Sequence, residues 1–207
     1  MISARDALQR LRDGNARYVS GVRGVEALTS QIRRSDYAAG QTPIAVILGC
    51  SDSRVPVEIV FDQGLGDLFV IRVAGNIVAP SQIGSVEFAA ERFGTRLVVV
   101  LGHTRCGAIQ ATLEALQSAG GQPSRNLRSI VDRIRPAVEG VLAATDARDP
   151  EALFRHAVRA NVRAAADALR HGSDILERLI AHQGLCVVGA EYSLETGVVE
   201  FLEGLPA

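Results

Sequence analysis

Short apolar runs alternate along this chain with stretches whose apolar residues recur at helical spacing. PIAVILG (43–49), DLFVIRV (67–73) and RLVVVLG (96–102) are too short for helices and read as buried strands. LCVVGAEYSL (185–194) and GVVEFLE (197–203) flank the turn ETG and read as a closing pair of strands. Over 3–19, Ala4, Ala7, Leu8 and Leu11 share one face with charges between them, which predicts an amphipathic helix. A second short helix is expected over 27–38. SQIGSVEFAAERFG, with Ser81 as cap and Gly94 as stop, predicts another. Helical patterns continue over 105–118, 125–144 and 150–182, with a loop at GGQPS, 120–124.

This alternation predicts an α/β fold: a mainly parallel central sheet of four strands plus an antiparallel edge strand, flanked by helices. No repeat or low-complexity linker interrupts the 207 residues, so one domain, 1–207, is expected. Residues 1–40 read as an N-terminal helical arm. Its apolar face has no evident place in the sheet and is expected to pack on a second copy of the chain.

Composition narrows the function. At 47% hydrophobic and 22% charged the chain can build a sizeable core and is not disordered by composition. All 22 basic side chains are arginine, against 23 acidic ones, giving a formal charge of −1. No basic excess points to nucleic acid. No apolar run is long enough to span a bilayer, and MISARDALQRLRDG lacks the apolar stretch of a signal peptide. A cytoplasmic location with no membrane partner is the expectation. Three cysteines do not suggest a disulfide framework. Cys186 lies inside an apolar strand and reads as a core residue.

The other two cysteines stand at strand exits. Cys50 follows the first strand after Gly49, and His103 follows the third after Gly102, with Cys106 three residues on. In parallel sheets ligands bind beyond the carboxyl ends of the strands, so neighbouring exits bring such side chains to one point. Two thiolates and an imidazole suit zinc, and three protein ligands leave a fourth position open. Buried cysteines also occur as plain packing residues, and a Cys–His thiol hydrolase would use the same pair. That second reading leaves Cys50 unexplained, and with it Asp52 and Arg54. In an extended turn Asp52 and Arg54 point the same way and pair, which keeps the carboxylate ionised and able only to accept hydrogen bonds. A dinucleotide fingerprint is absent, because the glycines of GLGDLF precede a strand instead of following one.

CSDSR followed by GHTRCG resembles the β-class carbonic anhydrases, whose pattern is Cys-x-Asp-x-Arg and later His-x-x-Cys. GDLFVIRVAGN and GSVEFA resemble that family's intervening segments. The resemblance is strong over about 41–110. It implies that Cys50, His103 and Cys106 hold one Zn2+ per chain and that Asp52 and Arg54 form the catalytic dyad. It implies reversible hydration of carbon dioxide to bicarbonate and a proton, by attack of zinc-bound hydroxide. Gln41, Phe69, Phe88 and Gly107 match positions around the substrate, although relatives often carry Tyr where this chain has Phe88. Self-association as a dimer or tetramer is implied too, with Gln41 reaching a partner's site. Some members bind bicarbonate at an inhibitory site of Trp, Arg and Tyr. Here Arg72 and Tyr192 match but Ile47 replaces the Trp, which favours an open site with water as fourth ligand. Rival readings on the same ligands are a carbon disulfide or carbonyl sulfide hydrolase and a non-catalytic zinc-stabilised interaction domain.

Overall fold

Five strands carry the fold: β1 (Ala45–Gly49), β2 (Leu68–Arg72), β3 (Leu97–His103), β4 (Cys186–Tyr192) and β5 (Val199–Glu203). The structure, a computed structural model, describes residues 2–24, 38, 40–117, 124–144 and 149–206. The sheet order is β2-β1-β3-β4-β5, with the first four strands parallel and β5 antiparallel to β4. This is the predicted sheet. β1 and β3 are buried along their whole length, as continuous apolar runs covered on both faces require.

Helices cover both faces. On one side lies α1 (Ala4–Val19), capped by Ser3, whose side chain accepts from the Asp6 N–H. Its Ala4, Ala7, Leu8 and Leu11 pack with Ile47, Val99, Leu101 and Phe61. The apolar face assigned from sequence to a partner copy is therefore covered by the chain's own sheet. Asn15 fastens it: its amide donates to the carbonyls of Val60 and Gly197, and its oxygen accepts from Val199 N–H. The helix expected over 27–38 lies outside the described residues, apart from Ala38, and so does most of the 120–124 loop.

After the one-turn α2 (Val57–Val60), which the strand-like residues VEIV concealed, comes α3 (Pro80–Arg92). It begins before the expected Ser81 cap: Ala79 is the cap residue, and Pro80 opens the helix where its missing N–H costs nothing. α4 (Gly107–Gln117), α5 (Arg125–Ala144), α6 (Pro150–His171) and α7 (Asp174–Gln183) complete the set. The single helix expected over 150–182 is two, because Gly172 ends α6 and the Ser173 side chain caps α7. α3, α6 and α7 bury the second sheet face. Among the described residues, no helix is long and apolar enough to cross a membrane.

β1 feeds β2 on one side and neighbours β3 on the other, so the strand order reverses at β1. The carboxyl ends of β1 and β3 lie at that reversal, the usual ligand position in open α/β sheets. Gly49 lies opposite Leu101 in the β1–β3 register, which sets Cys50 beside the end of β3.

Candidate metal centre

Cys50, His103 and Cys106 come together at these strand ends. One ligand atom from each lies within 4.8 Å of the others, and all three residues are buried. His103 is the last residue of β3, with no exposed surface. Its Nδ1 is 2.8 Å from the Thr104 carbonyl, which can only accept. Nδ1 therefore carries a proton, which in the neutral ring leaves Nε2 bare. That Nε2 is buried with no hydrogen-bond partner. A polar atom orphaned in this way costs free energy unless something fills the place in front of it.

The sulfurs fit the same centre. Cys50 Sγ and Cys106 Sγ are 4.0 Å apart. Two thiolates on tetrahedral zinc, each at about 2.3 Å, would stand roughly 3.8 Å apart. Cys106 precedes the first turn of α4, and the N–H groups of Ala108 and Ile109 face its sulfur. Cys50 accepts from the Gly75 N–H at 3.3 Å. The two thiols share a hydrogen bond in which either sulfur can donate. That bond, helped by the Gly75 N–H, pulls Cys50 well below the usual thiol range, while the same bond, burial and the Cys50 charge push Cys106 up. A positive charge between the sulfurs favours ionising both. The donor set, the bare Nε2 and the sulfur spacing all fit a zinc ion.

Asp52 stands at the mouth of the cluster, its Oδ2 3.8 Å from His103 Nε2. Arg54 grips it at both oxygens, Nε to Oδ1 at 2.9 Å and one terminal nitrogen to Oδ2 at 2.7 Å. The Arg54 N–H adds a third bond, to Oδ1 at 2.9 Å. Those contacts hold the Asp52 carboxyl well below the usual carboxylate range and raise Arg54 in turn. The pair expected from sequence is formed.

Other supports were not legible from the motifs. Arg72 donates to the carbonyls of Cys50 and Asp52, at 3.0 and 2.5 Å, and so fixes the loop between them. Tyr192 is buried, its hydroxyl 3.1 Å from that of Tyr18, and Ile47 is fully enclosed. Arg72 thus supports the 50–52 loop, and Tyr192 and Ile47 pack within the sheet. Gly75 has φ 70°, and a side chain there would meet Ile134 and Ala108 at 2.8 and 2.9 Å, so glycine is what brings this N–H to Cys50.

The residues expected around the substrate divide. Gly107 opens α4 directly after Cys106 and lines a cavity of about 680 Å³ with Thr104, Arg105 and Gln110. Gln41, Phe69 and Phe88 are not brought to the cluster within one chain. Gln41 is exposed and precedes the amino end of β1, while Cys50 follows its other end. Phe69 pairs with Val46, four positions before Cys50 and so about 13 Å along the strand. Phe88 is 53% exposed. With Phe93 the two rings form one aromatic group, with centroids 5.6 to 6.1 Å apart. Cys186 stands apart from the cluster, half-buried in β4, as expected of a packing residue.

Residues 45–199 match the sequence model of the carbonic anhydrase family. Carbonic anhydrase 2 of Mycobacterium tuberculosis is 40% identical over 193 residues, covering 92% of this chain and 89% of that protein. A carbonic anhydrase of Mycolicibacterium smegmatis is 39% identical over 199 residues, covering 94% and 91%. Among solved structures, a β-carbonic anhydrase of Aspergillus fumigatus superimposes with a TM-score of 0.74 at 26% identity, covering 86% of this chain and 84% of that one. The Coccomyxa β-carbonic anhydrase in complex with acetazolamide gives 0.74 at 25% identity, covering 94% and 86%.

Proposed function

Since the chain belongs to the β-class carbonic anhydrase family, we propose that it hydrates carbon dioxide reversibly to bicarbonate and a proton, with zinc held by Cys50, His103 and Cys106. The bare, buried Nε2 of His103 facing two buried sulfurs is the observation that carries this reading. When bound, zinc supplies the Lewis acidity that lowers the pKa of a water ligand from about 16 towards about 7.

The chain's own groups supply orientation. Asp52, kept ionised by Arg54, can only accept hydrogen bonds. A water or hydroxide beside the cluster must point its proton at Asp52, which leaves an oxygen lone pair directed away from the carboxylate and towards the substrate carbon. Arg54 aims Asp52 and is itself held by the Arg105 carbonyl at 3.3 Å. The Asp52 grip by Arg54 favours the open resting form, in which the carboxylate is not itself a ligand.

The substrate walls are read as shared between copies. Phe69, Phe88 and Phe93 present an aromatic surface at the end of the sheet where exposed Gln41 also lies. We assign Gln41, Phe69 and Phe88 to the site of a second copy, and Gly107 to the chain's own. This assignment requires a dimer or a multiple of one.

Metal analysis beside stopped-flow carbon dioxide hydration tests the function. One zinc per chain and a rate abolished by Cys50→Ala is the expected result. Zinc without hydration would overturn the carbon dioxide reading and leave sulfur-containing analogues of the substrate.

A further inference from the structure

Thr104 and Arg105, the two residues between His103 and Cys106, are held from outside by the hairpin that joins β4 to β5. Glu195 at its tip makes the hold. One carboxylate oxygen accepts from the Thr104 hydroxyl at 2.8 Å, and the other from Arg105 Nε at 2.6 Å. Ser193 donates to the same carboxylate at 3.3 Å. The hairpin backbone closes the grip, since Leu194 N–H donates to Thr104 Oγ1 and Thr104 N–H to the Tyr192 carbonyl, both at 3.0 Å.

The geometry of the held residues gives the contact its consequence. Arg105 has φ 55°, left-handed backbone that a residue with a side chain rarely adopts. Such a conformation persists only where its surroundings over-determine it. The turned peptide presents the Arg105 carbonyl to Arg54, whose same terminal nitrogen donates to Asp52 Oδ2. On the other side, the Thr104 carbonyl takes the Nδ1 proton of His103. A carboxylate 90 positions downstream of Arg105 thus touches both neighbours of the reacting groups. As a surface ion pair alone it would matter little, because the Arg105 and Glu195 side chains are 68% and 46% exposed. Arg105 first, and then Thr104, hold Glu195 down to about 2, so the grip stays charged at ordinary pH.

We propose that Glu195 is a positioning residue for carbon dioxide hydration: by fixing Thr104 and Arg105 it aims the Arg105 carbonyl, and through it Arg54 and Asp52. This rests on the function proposed above. The test uses full-length, zinc-loaded protein and compares Glu195→Ala and Glu195→Gln in the wild-type and Arg54→Ala backgrounds. In the wild-type background zinc content should stay at one per chain, while kcat falls about tenfold in Glu195→Ala with KM within about twofold. Glu195→Gln keeps an acceptor for Thr104 and should lose less. In the Arg54→Ala background the further loss should shrink below about twofold, because the effect passes through Arg54. Amide exchange at Thr104 and Leu194 should quicken in Glu195→Ala, with and without metal.

An unchanged kcat in Glu195→Ala, or an equal loss with and without Arg54, would overturn the proposal. Should Glu195→Ala fail to fold, Glu195→Gln carries the same cycle. If wild-type protein binds zinc and does not hydrate carbon dioxide, the function reading has failed instead. The exchange rates then decide the positioning by themselves: unchanged rates reject it.

Discussion

Gly49 and Gly102 each precede a candidate ligand, yet they should answer very differently to a methyl group. A Cβ on Gly102 would lie 2.5 Å from Val162 Cγ2 and 3.3 Å from Val158 Cγ1, both on α6. Carbon atoms rest at about 3.5–4.0 Å, so the overlap with Val162 is about 1 Å or more. Val162 has no exposed surface and little freedom, because a β-branched residue in a helix keeps one χ1 rotamer. Its other methyl fills the space over Gly189, where a Cβ would meet it at 3.0 Å. Gly102→Ala must therefore push α6 off the sheet. Overpacking of this kind costs about 1–3 kcal/mol, offset by about 0.4–1 kcal/mol from the stiffer unfolded chain. The midpoints leave a net loss of about 1.3 kcal/mol, and at about 2–4 °C per kcal/mol for a chain of this size the melting temperature should fall by about 3–5 °C. A Cβ on Gly49 would make only an ordinary 3.7 Å contact with Val57, and neither glycine has a positive φ. Gly49→Ala should be neutral or gain up to about 1 kcal/mol. Thermal unfolding of both variants at one protein concentration and saturating zinc makes the comparison. Adding Val162→Ala should rescue part of the Gly102→Ala loss. A Gly102→Ala protein as stable as wild type, or a Gly49→Ala protein falling equally far, would refute the close-approach argument.

Replacing Cys50, His103 or Cys106 with Ala should each remove zinc and activity together, while Cys186→Ala keeps its metal; elemental analysis of the four proteins checks this. Asp52→Asn should keep zinc and lose at least tenfold in kcat, since an amide can donate where the carboxylate only accepts. Arg54→Ala should lose comparably, and near-normal hydration rates in both would reduce the dyad to a surface ion pair. Asp62 anchors the end of α1. Although burial opposes it, the bond from Arg17 at 2.6 Å, the Gly24 N–H and Arg23 hold its carboxyl below the usual range. A depressed folded value gives stability that is full above the unfolded pKa of about 4 and is lost as pH falls below it. Asp62→Asn should therefore cost about 1–3 kcal/mol in neutral denaturant unfolding, and the gap from wild type should close below about pH 4.

The centre of the sheet was legible because β1 and β3 come from unbroken apolar runs ended by glycine, and burial on both faces demands that composition. Helix boundaries were less so. The break inside 150–182 depends on Gly172 and Ser173, a stop and a start that an Ala- and Leu-rich pattern on both sides hides. VEIV is strand-like in composition, and its single helical turn is set by the chain's descent from Pro56. The apolar face of α1 was read correctly as a face. Periodicity says that a face must be covered without saying by what, and Ile47, Val99 and Leu101 cover it from the same chain.

The candidate site divides along the same line. Cys50, Asp52, Arg54, His103 and Cys106 were legible because each lies within a few residues of a strand end, so local spacing fixes where they meet. Gly75 and Arg105 act through their own backbone atoms and Arg72 acts on backbone carbonyls, and bonds of that kind leave little trace in the local pattern. Arg72 was read by resemblance as part of an anion site, and its guanidinium bonds to the carbonyls of Cys50 and Asp52. Gln41, Phe69 and Phe88 show the remaining limit. Spacing gives them positions in the sequence, but the β1–β2 register puts Phe69 about 13 Å along the strand from the Cys50 level. An uncharged substrate needs an apolar wall, and one chain sets its aromatic group at the far end of the strand. On the assignment proposed above, these rings wall the site of a second copy. Activity should therefore depend on assembly: diluting the protein below its dimer dissociation constant should lower the rate per chain while the zinc content holds. A rate per chain that stayed constant through dissociation, followed by sedimentation, would place the wall within a single chain after all.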